Sequence, residues 1–190
     1  MKAIHKKPSD WTAADIAAFW DWQSKNLSRQ QQYFTATMAP GIVKFIKKKG
    51  LLKGDVLDYG CGAGHLLVQM LNENDVNFYG LDFSADSIEE TGERTTGKSN
   101  LKQLVLINKL PSSFSNEQFD AITLVETIEH LQDEALHETM QELFRILKPN
   151  GKIFITTPFI PISDKRQIHI SNTLPLCLSR QRKDVPNVPG

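Results

Sequence analysis

Val56-Leu57-Asp58-Tyr59-Gly60-Cys61-Gly62-Ala63-Gly64 is the stretch that decides how the rest of this 190-residue chain is read. Three residues of strand character deliver the chain to a sharp turn. Glycines there let the backbone approach a ligand where a Cβ would collide. Behind the turn a helix starts at about His65, and its first N–H groups have no intrahelical partner. Glycines at every second position differ from the GxGxxG of a dinucleotide site, whose third glycine comes one place later. Asp58, at the end of the strand, would repel a diphosphate and suits a cationic ligand.

Around this turn, short apolar runs alternate with helical stretches. Asn77 to Asp82 reads as a second strand, and Ser84 caps a helix through Ile88 and Glu90. Leu104 to Ile107 reads as a third strand. Ala121 to Val125, apolar except for Thr123, reads as a fourth strand buried on both faces. Leu136, Met140, Leu143, Phe144 and Leu147 lie on one helical face, and Pro149-Asn150-Gly151 is expected to end that helix as a turn. Ile153 to Thr157 is the fifth strand, stopped by Pro158. This rhythm predicts an α/β fold: a Rossmann-like, mostly parallel sheet with helices on both faces, joined by right-handed crossovers.

Three segments follow. Residues 1–50 form an N-terminal helical lid segment, with one helix capped by Ser9 or Asp10 and a second from about Ser28 to Lys49, stopped at Gly50. Its aromatics, Trp11, Phe19, Trp20, Trp22, Tyr33 and Phe34, either pack an amphipathic pair or close over a substrate. Residues 51–160 form the ligand-binding α/β core. Residues 161–190 are an irregular, proline-rich tail with at most one short helix, near Leu174 to Leu178, so the C-terminal end of the fold reads as shortened.

The second motif, Gly80-Leu81-Asp82, ends the second strand 24 residues after Asp58. A carboxylate there can accept both hydroxyls of a ribose, and Phe83 beside it can cover an adenine. S-adenosylmethionine, with a sulfonium and an ammonium and no phosphate, meets both requirements.

The runs VLDYGCGAG, GLDFS, FDAITLVETIEHL and LFRILKPNGKIFITTP together resemble the class I S-adenosylmethionine-dependent methyltransferases, over about Asp55 to Phe159. Within these, the chain is similar to the small-molecule branch that includes the ubiquinone-biosynthesis O-methyltransferases. The resemblance implies that Asp58, Gly60, Cys61, Gly62 and Gly64 line the methionine portion of the cofactor. It places Asp82 on the ribose, Phe83 on the adenine side, and Val125 and Glu126 beside the transferable methyl. That family often has an acidic residue after the third strand to meet the adenine amine; here the segment offers Asn108. The family sheet usually closes with a helix and an antiparallel hairpin, for which residues 160–190 are few. A sheet edge left uncovered invites association, so a homodimer is an open possibility.

Glu126, Glu129, His130 and Asp133 form a third cluster, the first three sharing a face if the segment is helical. His130 could act as the general base towards an attacking hydroxyl. The trio could instead bind a divalent ion, as the resemblance suggests, or make only structural hydrogen bonds at a helix start. The site residues taken forward are His130 as catalytic base and no metal ligand. His5, His65, His137 and His169 have no comparable company and read as surface or structural.

Composition narrows the partners. With 22 basic and 22 acidic residues the chain lacks the surplus expected of a nucleic-acid binder. No stretch approaches the roughly 20 apolar residues needed to span a bilayer, and Met1 to Asp10 is not followed by an apolar run. Cys61 and Cys177 show no metal-ligand spacing, so a reducing cytoplasmic setting is expected. The expected activity is methylation of a small-molecule acceptor, at oxygen. Two alternatives stay open: a non-catalytic, shortened paralogue that binds cofactor or a partner, and a nicotinamide-dependent oxidoreductase.

Overall fold

The computed structural model describes residues 34–157 and the backbone of 176–179, together with Asp15, Ala18, Phe19 and Trp22. In chain order the elements are α1 (Phe34–Lys48), β1 (Gly54–Tyr59), α2 (His65–Met70), β2 (Val76–Asp82), α3 (Ala85–Arg94), β3 (Leu101–Leu106), β4 (Phe119–Val125), a 3₁₀ turn (Ile128–His130), α4 (Asp133–Ile146), β5 (Leu147–Thr156) and β6 (Leu176–Ser179). The six strands form one sheet in the order β3-β2-β1-β4-β5-β6. The first five pair in parallel, and β6 runs antiparallel along β5.

Both faces of this sheet are covered because its central strands are apolar on both. Val56 of β1 joins the core formed with Ile42 and Ile46 of α1 and Leu66, Leu67 and Met70 of α2. Its neighbour Leu57 points the other way, into the core formed with Leu143 and Ile146 of α4. β4 repeats the alternation with Ala121 on the first side and Ile122 on the second. Strand order reverses between β1 and β4, so the carboxyl ends of these two strands open a crevice, the usual ligand position of such sheets.

Local signals behave as their chemistry dictates. The Ser84 hydroxyl accepts the Ser87 N–H at 3.1 Å and caps α3. Gly50, at φ 69°, ends α1: its N–H reaches the Lys47 carbonyl, and that of Leu51 reaches Ile46, which closes the last turn.

Three expectations need correction. Residues 176–179 form a strand, where a short helix near Leu174 to Leu178 was expected. Pairing along the whole of Lys152 to Ile155 satisfies more backbone than one isolated turn could, and it covers the edge of β5. Pro149-Asn150-Gly151 is not a separate turn. α4 ends at Ile146, and β5 starts at once and takes those three residues into an irregular step of the β4–β5 register, with Asn150 at φ 65°. β3 begins at Leu101, three residues before the run that marked it, because the polar, exposed Lys102 and Gln103 interrupt the apolar pattern by which it was read. The helix capped by Ser9 or Asp10 and most of the aromatic cluster before Phe34 lie outside the described residues. Of that cluster, Phe19 and Trp22 lie against each other with tilted rings, their centroids 6.2 Å apart.

Candidate cofactor and acceptor site

The crevice holds a cavity lined by Asp58, Gly60, Cys61, Gly62, Asp82, Phe83, Val125, Glu126 and His130, among others. Nine of the eleven residues expected to bind the cofactor or act in catalysis therefore meet in one place. Two do not line it. Asn108 lies exposed, one residue past Ile107, whose N–H bonds the Asp82 carbonyl. Gly64 lies behind the turn against α3. At its φ of +78° an added Cβ would come within 2.8 Å of Thr91 Oγ1 and 2.9 Å of Cγ2. Gly64→Ala combines left-handed strain with that overlap and is expected to cost about 2 kcal/mol. The unfolding midpoint should fall by about 4–8 °C, partly recovered by adding Thr91→Ala. A thermal melt with no change would contradict this packing.

Four of the turn's amide hydrogens already have partners within the protein. Gly60 and Cys61 both donate to the Leu81 carbonyl, Gly64 donates to the Cys61 carbonyl, and Gly62 donates to Asp82 Oδ2 at 2.8 Å. A diphosphate site needs such donors free, so this turn is poorly suited to one. Asp82 Oδ1 also accepts the Ser84 N–H at 2.9 Å, which fixes its carboxylate at the end of β2.

Asp58 is 2% exposed. Burial pushes its carboxyl up to about 7; the 2.7 Å hydrogen bond from Thr123 opposes this, and the nearby Asp82 carboxylate adds to it. No lysine or arginine among the described residues pairs with it. A buried acid without a cation is costly, and a ligand that brings one relieves the cost. Cys61 is no nucleophile: burial, Asp82 and Asp58 hold its thiol well above the ordinary range.

Glu126, Glu129 and His130 line the same cavity, but not as one helical face. Glu126 precedes the 3₁₀ turn in a left-handed conformation, φ 53°, and Thr156 holds it by donating to Glu126 Oε1 at 3.0 Å. Glu129 Oε1 stands 3.8 Å from His130 Nε2. Burial raises Glu129 to about 7, with Glu126 adding to the rise, and burial lowers His130. Glu126 is raised by burial as well. Among the described residues no group of three or more His, Cys, Asp or Glu is arranged to hold a metal ion.

Sequence reasoning passed over Thr35, His65, Leu66, Ser87 and Thr127 as lining residues. His65, read as surface or structural, stands in the cavity wall at the start of α2. It also missed the threonines that support the turn. Thr91 donates to the Gly62 carbonyl at 2.7 Å, and Thr127 packs under Gly60, where a Cβ would lie 2.6 Å from its Cγ2.

An α/β domain with an acid-lined glycine turn and a second acid at the end of β2 defines a class: proteins that hold a cationic nucleoside at the switch point of the sheet. A family described as a methyltransferase domain matches residues 28–181, and the chain belongs to that family, of the S-adenosylmethionine-dependent type. It is 35% identical over 115 residues to phosphoethanolamine N-methyltransferase 1 of Arabidopsis thaliana, covering 60% of this chain and 23% of that protein. It is 32% identical over 145 residues to 2-phytyl-1,4-naphtoquinone methyltransferase of Trichormus variabilis, covering 74% of this chain and 60% of that one. The chain thus spans between about a quarter and three fifths of these relatives.

The fold also matches phosphoethanolamine N-methyltransferase 1 of Haemonchus contortus, solved with phosphoethanolamine and S-adenosylhomocysteine, at TM-score 0.61 and 19% identity, over 77% of this chain and 33% of that one. A SAM-dependent methyltransferase of Leishmania major matches at TM-score 0.64 and 19% identity, over 75% and 59% of the two chains. The family membership and the inward-turned amides together remove the ground for the nicotinamide-dependent alternative. No helix among the described residues is long and apolar enough to cross a membrane.

Proposed function

We propose that this chain transfers the methyl group of S-adenosylmethionine to a small molecule, at a hydroxyl oxygen. The observation that carries the cofactor assignment is the buried Asp58 carboxyl beside a turn whose Gly60, Cys61, Gly62 and Gly64 amides already have partners. In this reading Asp58 meets the amino-acid ammonium and Gly60, Cys61 and Gly62 accommodate the methionine chain. Gly64 stands behind them as the packing point of the turn. Asp82 takes the ribose hydroxyls and Phe83 covers the adenine, while Asn108, exposed past β3 and outside the cavity lining, has no part in this reading. Val125 and Glu126 lie beside the methyl.

When bound, the cofactor supplies an activated methyl on a sulfonium. The chain aligns the acceptor and excludes water, an effect that can supply about 7–11 kcal/mol of a barrier. His130, which burial keeps neutral, would take the hydroxyl proton as the acceptor oxygen gains the methyl carbon and the carbon–sulfur bond breaks to leave a neutral thioether, and Glu129 beside it would steady the resulting imidazolium. An amine acceptor is the second reading. The two carboxylates Glu126 and Glu129 in the wall favour it, as do relatives named N-methyltransferases.

Incubation with methyl-labelled S-adenosylmethionine and parallel panels of catechols, hydroxylated quinones and primary amines separates these readings. Label in a hydroxyl acceptor is the expected result. Label only in amines moves the assignment to the second reading, and cofactor binding with no transfer to any panel favours the shortened, non-catalytic paralogue.

A further inference from the structure

β4 is the most deeply buried strand of the sheet, and Thr123 at its centre is wholly buried among Ile122, Leu124 and Val125. A hydroxyl in such a place costs free energy unless it is satisfied. The parallel register sets Thr123 directly beside Asp58 of β1, and its Oγ1 donates to Asp58 Oδ1 at 2.7 Å. A second, longer contact of 3.4 Å reaches the Leu57 carbonyl. The one buried polar residue of the strand is therefore directed at the carboxyl that lines the cavity.

We propose that Thr123 is a positioning residue for cofactor binding, holding Asp58 ionised and in one orientation towards the cationic end of the ligand. This rests on the cofactor reading above. Charge and geometry act together here. An ionised carboxylate can only accept hydrogen bonds, so a donor on Oδ1 stabilises the charged form over the protonated one. The groups that work against ionisation are Asp82 at the end of β2 and burial itself. Cys61 in the turn faces Asp58 as a neutral thiol, and His65 at the start of α2 and Glu126, Glu129 and His130 in the cavity lining complete its ionisable surroundings. Without Thr123, no described side chain is left to favour the charged carboxyl.

The sign follows directly. A cation binds the ionised form, so cofactor affinity falls as pH drops through the Asp58 pKa of about 7. Thr123→Val keeps the volume and the strand preference while removing the donor, which lifts that pKa and moves the loss of affinity to higher pH. Thr123→Ser keeps the donor and should restore the wild-type profile.

The test is calorimetric titration with S-adenosylhomocysteine, which carries the same ammonium, at pH values from about 6 to 9, on wild type, Thr123→Val and Thr123→Ser. The expected result is a Thr123→Val midpoint about one pH unit higher, binding weaker by about fivefold at pH 7 and nearly tenfold at pH 6, and a gap that narrows towards pH 9. The Thr123→Ser profile should overlie wild type. If wild type binds and the Thr123→Val profile runs parallel to it at every pH, the positioning role is overturned while the cofactor reading stands. If wild type does not bind at all, the cofactor reading falls and this inference with it. Thermal melts of all three proteins establish that each is folded.

Discussion

Asp82→Ala is expected to weaken cofactor binding by about 100-fold. The wild-type carboxylate is already fixed by the N–H groups of Gly62 and Ser84, at 2.8 and 2.9 Å, so it meets a ribose in a settled orientation. Hydrogen bonds to a charged acceptor contribute about 1.5–3 kcal/mol each. Losing two of them to the ribose hydroxyls removes at least about 3 kcal/mol, which is two decades of affinity. The variant also leaves the Gly62 N–H without its partner and so loosens the turn that faces the methionine chain. Asp82→Asn keeps one acceptor oxygen and should fall between the two. Calorimetry with S-adenosylhomocysteine reads all three. An Asp82→Ala protein that is folded and binds within about threefold of wild type would remove Asp82 from the site.

His130→Ala should lower kcat by about 100-fold or more on a hydroxyl acceptor, in the range general-base catalysis contributes. Cofactor affinity should stay within about threefold, because His130 belongs to the 3₁₀ turn after β4, whereas Asp58 and Asp82 belong to β1 and β2. The wild-type rate should fall with decreasing pH as the imidazole becomes protonated, below the usual histidine range because burial lowers its pKa. Glu129, raised to about 7, adds to the same acid-side loss when its protonation removes the charge beside the imidazolium. A variant with unchanged kcat on hydroxyl acceptors would leave His130 a structural residue and shift weight to the amine reading.

Much of this arrangement was legible in residue order because local chemistry enforces it. The VLD run, the glycines after it and Asp82 at the end of β2 lie within one strand–turn–helix–strand unit, where spacing alone sets the geometry. The alternation of Val56 and Leu57 onto opposite faces follows from the pleat. What stayed hidden depends on register between distant strands and helices. Thr123 reaches Asp58 across 65 positions, and Thr91 reaches Gly62 across 29. Neither spacing carries a signal.

Glu126 was misplaced for a different reason. The i, i+3, i+4 pattern presumes a helix, yet β5 takes hold of Glu126 through Thr156 and turns it left-handed before the 3₁₀ turn begins. Pro149 to Gly151 misled in the same way, because turn-forming residues also suit the irregular start of a strand. The β6 segment shows the limit most plainly: its pairing partner, β5, is what makes it a strand.

Diffraction from crystals grown with S-adenosylhomocysteine tests the central claim most directly. The account predicts density in the crevice between β1 and β4, with the ammonium against Asp58 and the ribose hydroxyls on Asp82. Density elsewhere, or a ribose held away from Asp82 with Asp58 facing no charge, would contradict it.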